Sequence, residues 1–150
     1  MERVVITVVV VAVAVVVAIV LQRRRPDAPT QSSWTVPAQL DRRDFDRPDA
    51  DWLVVTFTSA TCSTCAGVKE KVALLESPVV ATQDVEAVAD KALHDRYGID
   101  AVPTLVIADR EGVVSASFVG PVTAADLWAT VADLREPGSV PPGCDHGQPA

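Results

Sequence analysis

The chain has 150 residues, 49% of them hydrophobic, with thirteen basic and twenty acidic side chains and a net charge of −7. Residues 1–25 hold four arginines and one glutamate, so the rest carries nine basic against nineteen acidic groups, a net of −10. So acidic a domain is repelled by phosphate backbones and anionic headgroups, which argues against nucleic-acid binding, and three cysteines do not make the even framework of a disulfide-stapled scaffold.

Residues 4–21 contain one polar side chain, Thr7, and fourteen Val, Ile or Leu. At ~1.5 Å per residue the run spans roughly 27 Å, close to the ~30 Å hydrocarbon core of a bilayer. Those fourteen side chains favour insertion by roughly 4–8 kcal/mol. A cleaved signal peptide would end in small residues, and here Gln22-Arg23-Arg24-Arg25-Pro26 follows. The expectation is one N-terminal transmembrane helix with a basic flank over residues 1–25. A Pro- and Ser-containing linker over 26–37, one domain over 38–136 and a flexible Gly- and Pro-containing tail over 137–150 complete the division.

Within the domain, residues 34–36 are a strand candidate ended by Pro37. Residues 41–46 form a short helix that holds Leu40 and Phe45 to the core. Leu53-Val54-Val55-Thr56-Phe57 reads as a strand buried on both faces. After Cys62-Ser63-Thr64-Cys65, the spacing of Cys65, Val68, Val72 and Leu75 predicts a helix to about residue 76, stopped by Ser77-Pro78. Residues 79–85 are a strand with Gln83 and Asp84 on an exposed side. Residues 87–97 are a helix with Val88, Leu93 and Tyr97 on one face, His94 on a solvated one and Gly98 as cap. Residues 103–107 and 113–119 flank a hairpin turn at 109–112. Thr123 caps a last helix with Leu127, Val131 and Leu134 on its inner side. Trp34, Trp52 and Trp128 are assigned to core or edge packing. Strands alternating with helices, followed by a hairpin, give an α/β fold: a mixed central sheet with helices on both faces.

The chemistry concentrates at Cys62 and Cys65. The strand–turn–helix context puts Cys62 at or near a helix N-terminus, where unpaired N–H groups and the helix dipole favour thiolate. A thiolate separated by two residues from a second thiol can attack a disulfide and be resolved by its neighbour. The alternative chemistry is a zinc site built from Cys62, Cys65, Cys144 and His146, although Cys-x-His in a tail is looser than the usual finger spacing. Lys69 and Glu70 fall on a solvated helix face.

Cys62-Ser63-Thr64-Cys65 after a buried strand, Tyr97-Gly98-Ile99-Asp100-Ala101-Val102-Pro103-Thr104, and Gly120 after the hairpin strand together resemble the thioredoxin family over about residues 40–135. The resemblance implies a thioredoxin-like fold and no cofactor. It implies Cys62 as nucleophile, Cys65 as resolving thiol, and protein thiols and disulfides as partners. It implies a cis-proline at Pro103, with Val102 offering backbone groups to a bound polypeptide. Three departures stand out. Thr56 occupies the place of the family's buried acid, six positions before the first cysteine; Thr61 replaces a tryptophan; and Ser63-Thr64 replaces Gly-Pro. Asp100 adds a charge to the proline loop. These departures keep open a redox-inactive binding protein on the same fold. Arg23, Arg24 and Arg25, against Arg3 and the offsetting Glu2, place the domain on the cytoplasmic side by the positive-inside rule, the alternative being an extracytoplasmic domain behind a signal anchor. The partner that reduces or oxidises the site is not encoded in any recognisable pattern.

Overall fold

The computed structural model describes residues 34–139. The predicted membrane span at 4–21, as well as Cys144 and His146, lies outside them; among the described residues no helix is long and apolar enough to cross a membrane. The elements in chain order are a 3-10 turn at Arg42–Asp44, β1 (Trp52–Thr58), α1 (Cys65–Ala73), β2 (Val80–Glu86), α2 (Lys91–Tyr97), β3 (Thr104–Ala108), β4 (Val114–Val119) and α3 (Ala124–Arg135). Among the described residues the sheet has four strands in the order β2-β1-β3-β4. β1 pairs in parallel with β2 and antiparallel with β3, and β3 pairs antiparallel with β4.

β1 is central, and six of its seven residues are buried. Successive side chains point to opposite faces, so one strand feeds two cores. Leu53, Val55 and Phe57 pack with Val85, Leu40, Phe45, Leu93 and Tyr97 on the α2 side. Val54 packs with Val68 and Val72 of α1 and Leu127 and Val131 of α3 on the other. A run of apolar, β-branched residues is the sequence such a strand needs, because neither face meets water.

The short helix expected over 41–46 is one 3-10 turn, and it does bury Leu40 and Phe45. No strand forms at 34–36. Pro37 cannot donate to a ladder, and the pairing falls later, where Gln39 bridges Val113 and Leu40 N donates to Gly112 O at 2.8 Å. α2 starts at Lys91 rather than 87, because Glu86 and Asp90 tie residues 86–90 into a turn: Asp90 N donates to Glu86 O and Glu86 N to Asp90 Oδ2. Val88 therefore sits in a turn and is 81% exposed. His94 is not on a solvated face. It is buried, its Nε2 donates to Val85 O at 3.0 Å, and its ring meets Phe57 edge-on at 5.3 Å. Trp34 and Trp128 are about half exposed, whereas Trp52 packs at the edge of the second core. A buried arginine went unforeseen: Arg42 donates to Asp109 O and Ala50 O, so one guanidinium joins three loops.

Gly112 closes the β3–β4 hairpin at φ +81°, and a Cβ there would stand 2.0 Å from Leu40 O. Gly112→Ala must both adopt a conformation that L side chains avoid and push the segment around Leu40 off the hairpin. It is expected to lower unfolding free energy by about 2–4 kcal/mol, read from denaturant midpoints at unchanged slope.

Candidate functional site: a disulfide at the end of the central strand

β1 ends at Thr58, and a loop carries the chain to α1. Cys62 N donates to Ser59 O at 3.0 Å, which closes a turn. α1 begins at Cys65, with Thr64 as N-cap; no side chain caps it, and no acidic residue stands in its first turn. Cys62 therefore lies two residues ahead of the cap, just before the helix, beside an N-terminus that has no side-chain cap and no acid in its own first turn. Cys62 and Cys65 are joined as a disulfide, with Cα atoms 5.5 Å apart. Cys62 is half-buried, and its Sγ lies 3.7 Å from Thr64 Oγ1. Cys65 is 3% exposed and belongs to the inward face of α1 with Val68 and Val72. Only one sulfur of the pair can meet a large partner.

The register places the proline loop at the same end of the sheet. Phe57 pairs with Thr104, so Pro103 stands beside Thr58, where the cysteine loop departs. The Val102–Pro103 bond is cis, as the resemblance implied. Pro103 is buried, Val102 half-buried and Asp100 exposed. Gly120, at φ +94°, donates its N–H to Pro103 O at 2.8 Å, which ties the loop to the end of β4.

An open depression of about 520 Å³ beside the disulfide is lined by Thr58, Cys62, Cys65, Lys69, Glu70 and Glu86, among others. Lys69 and Glu70 are exposed on the solvated face of α1, as expected, and Lys69 is ion-paired there. Its Nζ lies 2.6 Å from Asp84 Oδ2, and the same carboxylate accepts from Thr58 Oγ1 at 2.8 Å. Glu86 accepts from the N–H of Ala60, Val88 and Ala89 at 2.8–2.9 Å, so it clamps the loop before Cys62 to the turn after β2. Sequence reasoning missed both acids. Glu86 offered a faint signal, an acidic residue at a strand end before a small-residue turn. Asp84 offered none, because its partners lie 15 and 26 residues away. Thr56, in the place of the expected acid, is 1% exposed, and its hydroxyl has no partner among the described residues. The zinc alternative has two of its four ligands outside the described residues, and its other two are bonded to each other. Among the described residues no group of three His, Cys, Asp or Glu could hold a metal.

A mixed sheet with α1 and α3 on one face and α2 on the other, and a disulfide where the central strand meets α1, defines a thioredoxin-like domain. The comparisons agree. The family model described as thioredoxin matches residues 38–133, so the chain belongs to the thioredoxin family. Solved structures with a similar fold include a mutant thioredoxin from Halobacterium salinarum NRC-1, 24% identical with a TM-score of 0.56, over 71% of this chain and 93% of that one. Another is thioredoxin f from spinach chloroplast, 20% identical with a TM-score of 0.52, over 69% of this chain and 96% of that one. No curated protein matches the sequence.

The backbone N–H groups on Glu86, that of Ala89 foremost, hold its carboxyl below the usual carboxylate range. A depressed folded-state pKa means that the contribution to stability is complete above the ordinary value of ~4.3 and is lost as pH falls through the folded value. Glu86→Ala is expected to lower the hydrogen-exchange protection of the Ala60, Val88 and Ala89 amides by about tenfold, and acidifying the unmutated protein should do the same to those three amides.

Proposed function

We propose that the protein is a membrane-tethered thiol–disulfide oxidoreductase that acts on disulfides of partner proteins. The observation that carries this reading is the Cys62–Cys65 disulfide at the start of α1, with one cysteine half-exposed and the other buried. In the reducing direction the Cys62 thiolate attacks one sulfur of a partner disulfide. A Cys62–partner bond forms and one partner thiolate leaves. The Cys65 thiolate then attacks the Cys62 sulfur, closing the Cys62–Cys65 bond and expelling the second partner thiol. Two electrons pass from this protein to its partner, and the reverse sequence oxidises a partner dithiol. The bare N-terminus of α1 favours the thiolate at Cys62, and burial of Cys65 restricts it to the intramolecular step. Val102 and Pro103 form the docking edge, where an extended segment of the partner lies across Val102's backbone groups. The apolar run at 4–21 supports tethering, and the arginines at 23–25 support a cytoplasmic domain.

Cys65→Ser is expected to accumulate mixed disulfides with partner proteins, visible on non-reducing gels. Cys62→Ser is expected to form none and to fall to the uncatalysed rate in an insulin-reduction assay. Trapping that survives loss of Cys62 would overturn the assignment of roles. For orientation, an impermeant maleimide applied to intact cells should leave Cys144 unlabelled until the membrane is permeabilised; labelling from outside would place the domain on the other face.

A further inference from the structure

The hydroxyl of Thr56 is a buried donor with no acceptor among the described residues. Such a group carries the full cost of its desolvation, and a buried unpaired donor calls for an explanation, a redox role among them. The neighbours of Thr56 point to the partner it lacks. Val54, two residues earlier on the same face of β1, packs against Val68 and Val72 of α1. Thr58, two residues later on that face, lines the depression with Cys65 and Lys69. Thr56 stands between them, beneath the first turns of α1, whose inward residues there are Cys65 and Val68. Its cross-strand neighbours offer nothing. Leu105 is apolar, and Asp84 gives its carboxylate oxygens to Thr58 and Lys69. Cys65 is the polar side chain left on the helix above it.

We infer that Thr56 is a positioning residue for the redox couple, its hydroxyl donating to the Cys65 sulfur in the reduced protein and to nothing in the oxidised one. The inference rests on the redox reading of the dithiol. In the oxidised protein Cys65 Sγ is bonded to Cys62 and makes no hydrogen bond to Thr56. Reduction by two equivalents of glutathione breaks the S–S bond, adds two electrons and two protons, and releases one glutathione disulfide. Cys65 Sγ is then free to turn about its Cα–Cβ bond toward the strand, and a thiol or thiolate sulfur accepts a hydrogen bond. The reduced state therefore gains a bond that the oxidised state lacks. Thr56 draws the couple toward the dithiol without exchanging a proton, which a carboxylic acid at this position would do.

The test uses the full chain in mild detergent, carrying Cys144→Ser so that only one cysteine pair exchanges. Thr56→Val keeps the side-chain shape and removes the hydroxyl. In equilibrium with glutathione, it is expected to shift the constant toward the disulfide by about tenfold, equivalent to ~30 mV for a two-electron couple. Thr56→Ser, which keeps the hydroxyl, should stay within about twofold of the parent. In denaturant, Thr56→Val should stabilise the oxidised protein, which loses an unpaired donor, and should fail to stabilise protein reduced by dithiothreitol. Equal stabilisation of the two forms, or an unshifted glutathione constant, overturns the coupling. A parent protein that never reaches equilibrium with glutathione overturns the redox reading instead; the dithiothreitol arm needs only chemical reduction and still decides the Thr56 contact.

Discussion

The structure depends on β1 being enclosed on every side. It is hydrogen-bonded to β2 along one edge and β3 along the other, and covered by α2 on one face and by α1 and α3 on the other. A strand with no route to water has one permissible register, since a slip of one residue would exchange the two cores. The end of such a strand is the best-fixed point in the domain. The cysteine loop leaves from that end, and the proline loop arrives beside it through the Phe57–Thr104 pairing. The geometry of the disulfide is thus set by backbone hydrogen bonds and packing several residues away, and the loop itself can be short and polar.

Much of this was legible because it depends on local signals. The apolar run at 53–57 announced β1, the spacing of Cys65, Val68 and Val72 announced α1, and Thr123 announced α3, whose N-cap hydroxyl accepts from Asp126 N. The cis bond before Pro103 followed from the family motif. What sequence reasoning missed depends on partners far along the chain. His94 carries a polar ring, and no neighbour in sequence reveals that Val85 O and Phe57 wait for it. Val88 fits a helical stripe until Glu86 and Asp90 turn the chain at that point. Arg42 looks like a surface cation until the carbonyls of Asp109 and Ala50 gather round it. In each case a polar contact that the local pattern does not show overrides a local preference.

The charges near the disulfide follow the same rule. The sequence places no acid on β1 at Thr56, and the structure places two on the neighbouring strand instead. Asp84 is neutralised by Lys69 and held by Thr58. Glu86 is spent on three backbone amides. Both carboxylates are thus occupied with holding structure. Glu86 ties the loop before Cys62 to the turn after β2, and Asp84 ties α1 to the sheet one turn beyond Cys65. Lys69 offsets the charge of Asp84, whereas Glu86 keeps its own charge in the depression beside Cys62, where it opposes the pull of the helix N-terminus on a thiolate.

The two cysteines, three residues apart in sequence, meet different surroundings. Cys62 faces an open depression and the uncapped end of α1, so solvent, the helix dipole and an incoming partner act on it. Cys65 is buried on the inward face of α1 with Val68 and Val72, and on the inferred placement the non-titrating hydroxyl of Thr56 lies beneath it. Under the proposed chemistry the outer sulfur governs how fast a partner is attacked, and the inner one governs which redox state is preferred. Rate and equilibrium are then set from opposite sides of one helix turn. Substitutions on the rim, such as Thr61 or Ser63, can alter partner choice without altering the driving force, and a change at position 56 can alter the driving force without touching the surface a partner meets.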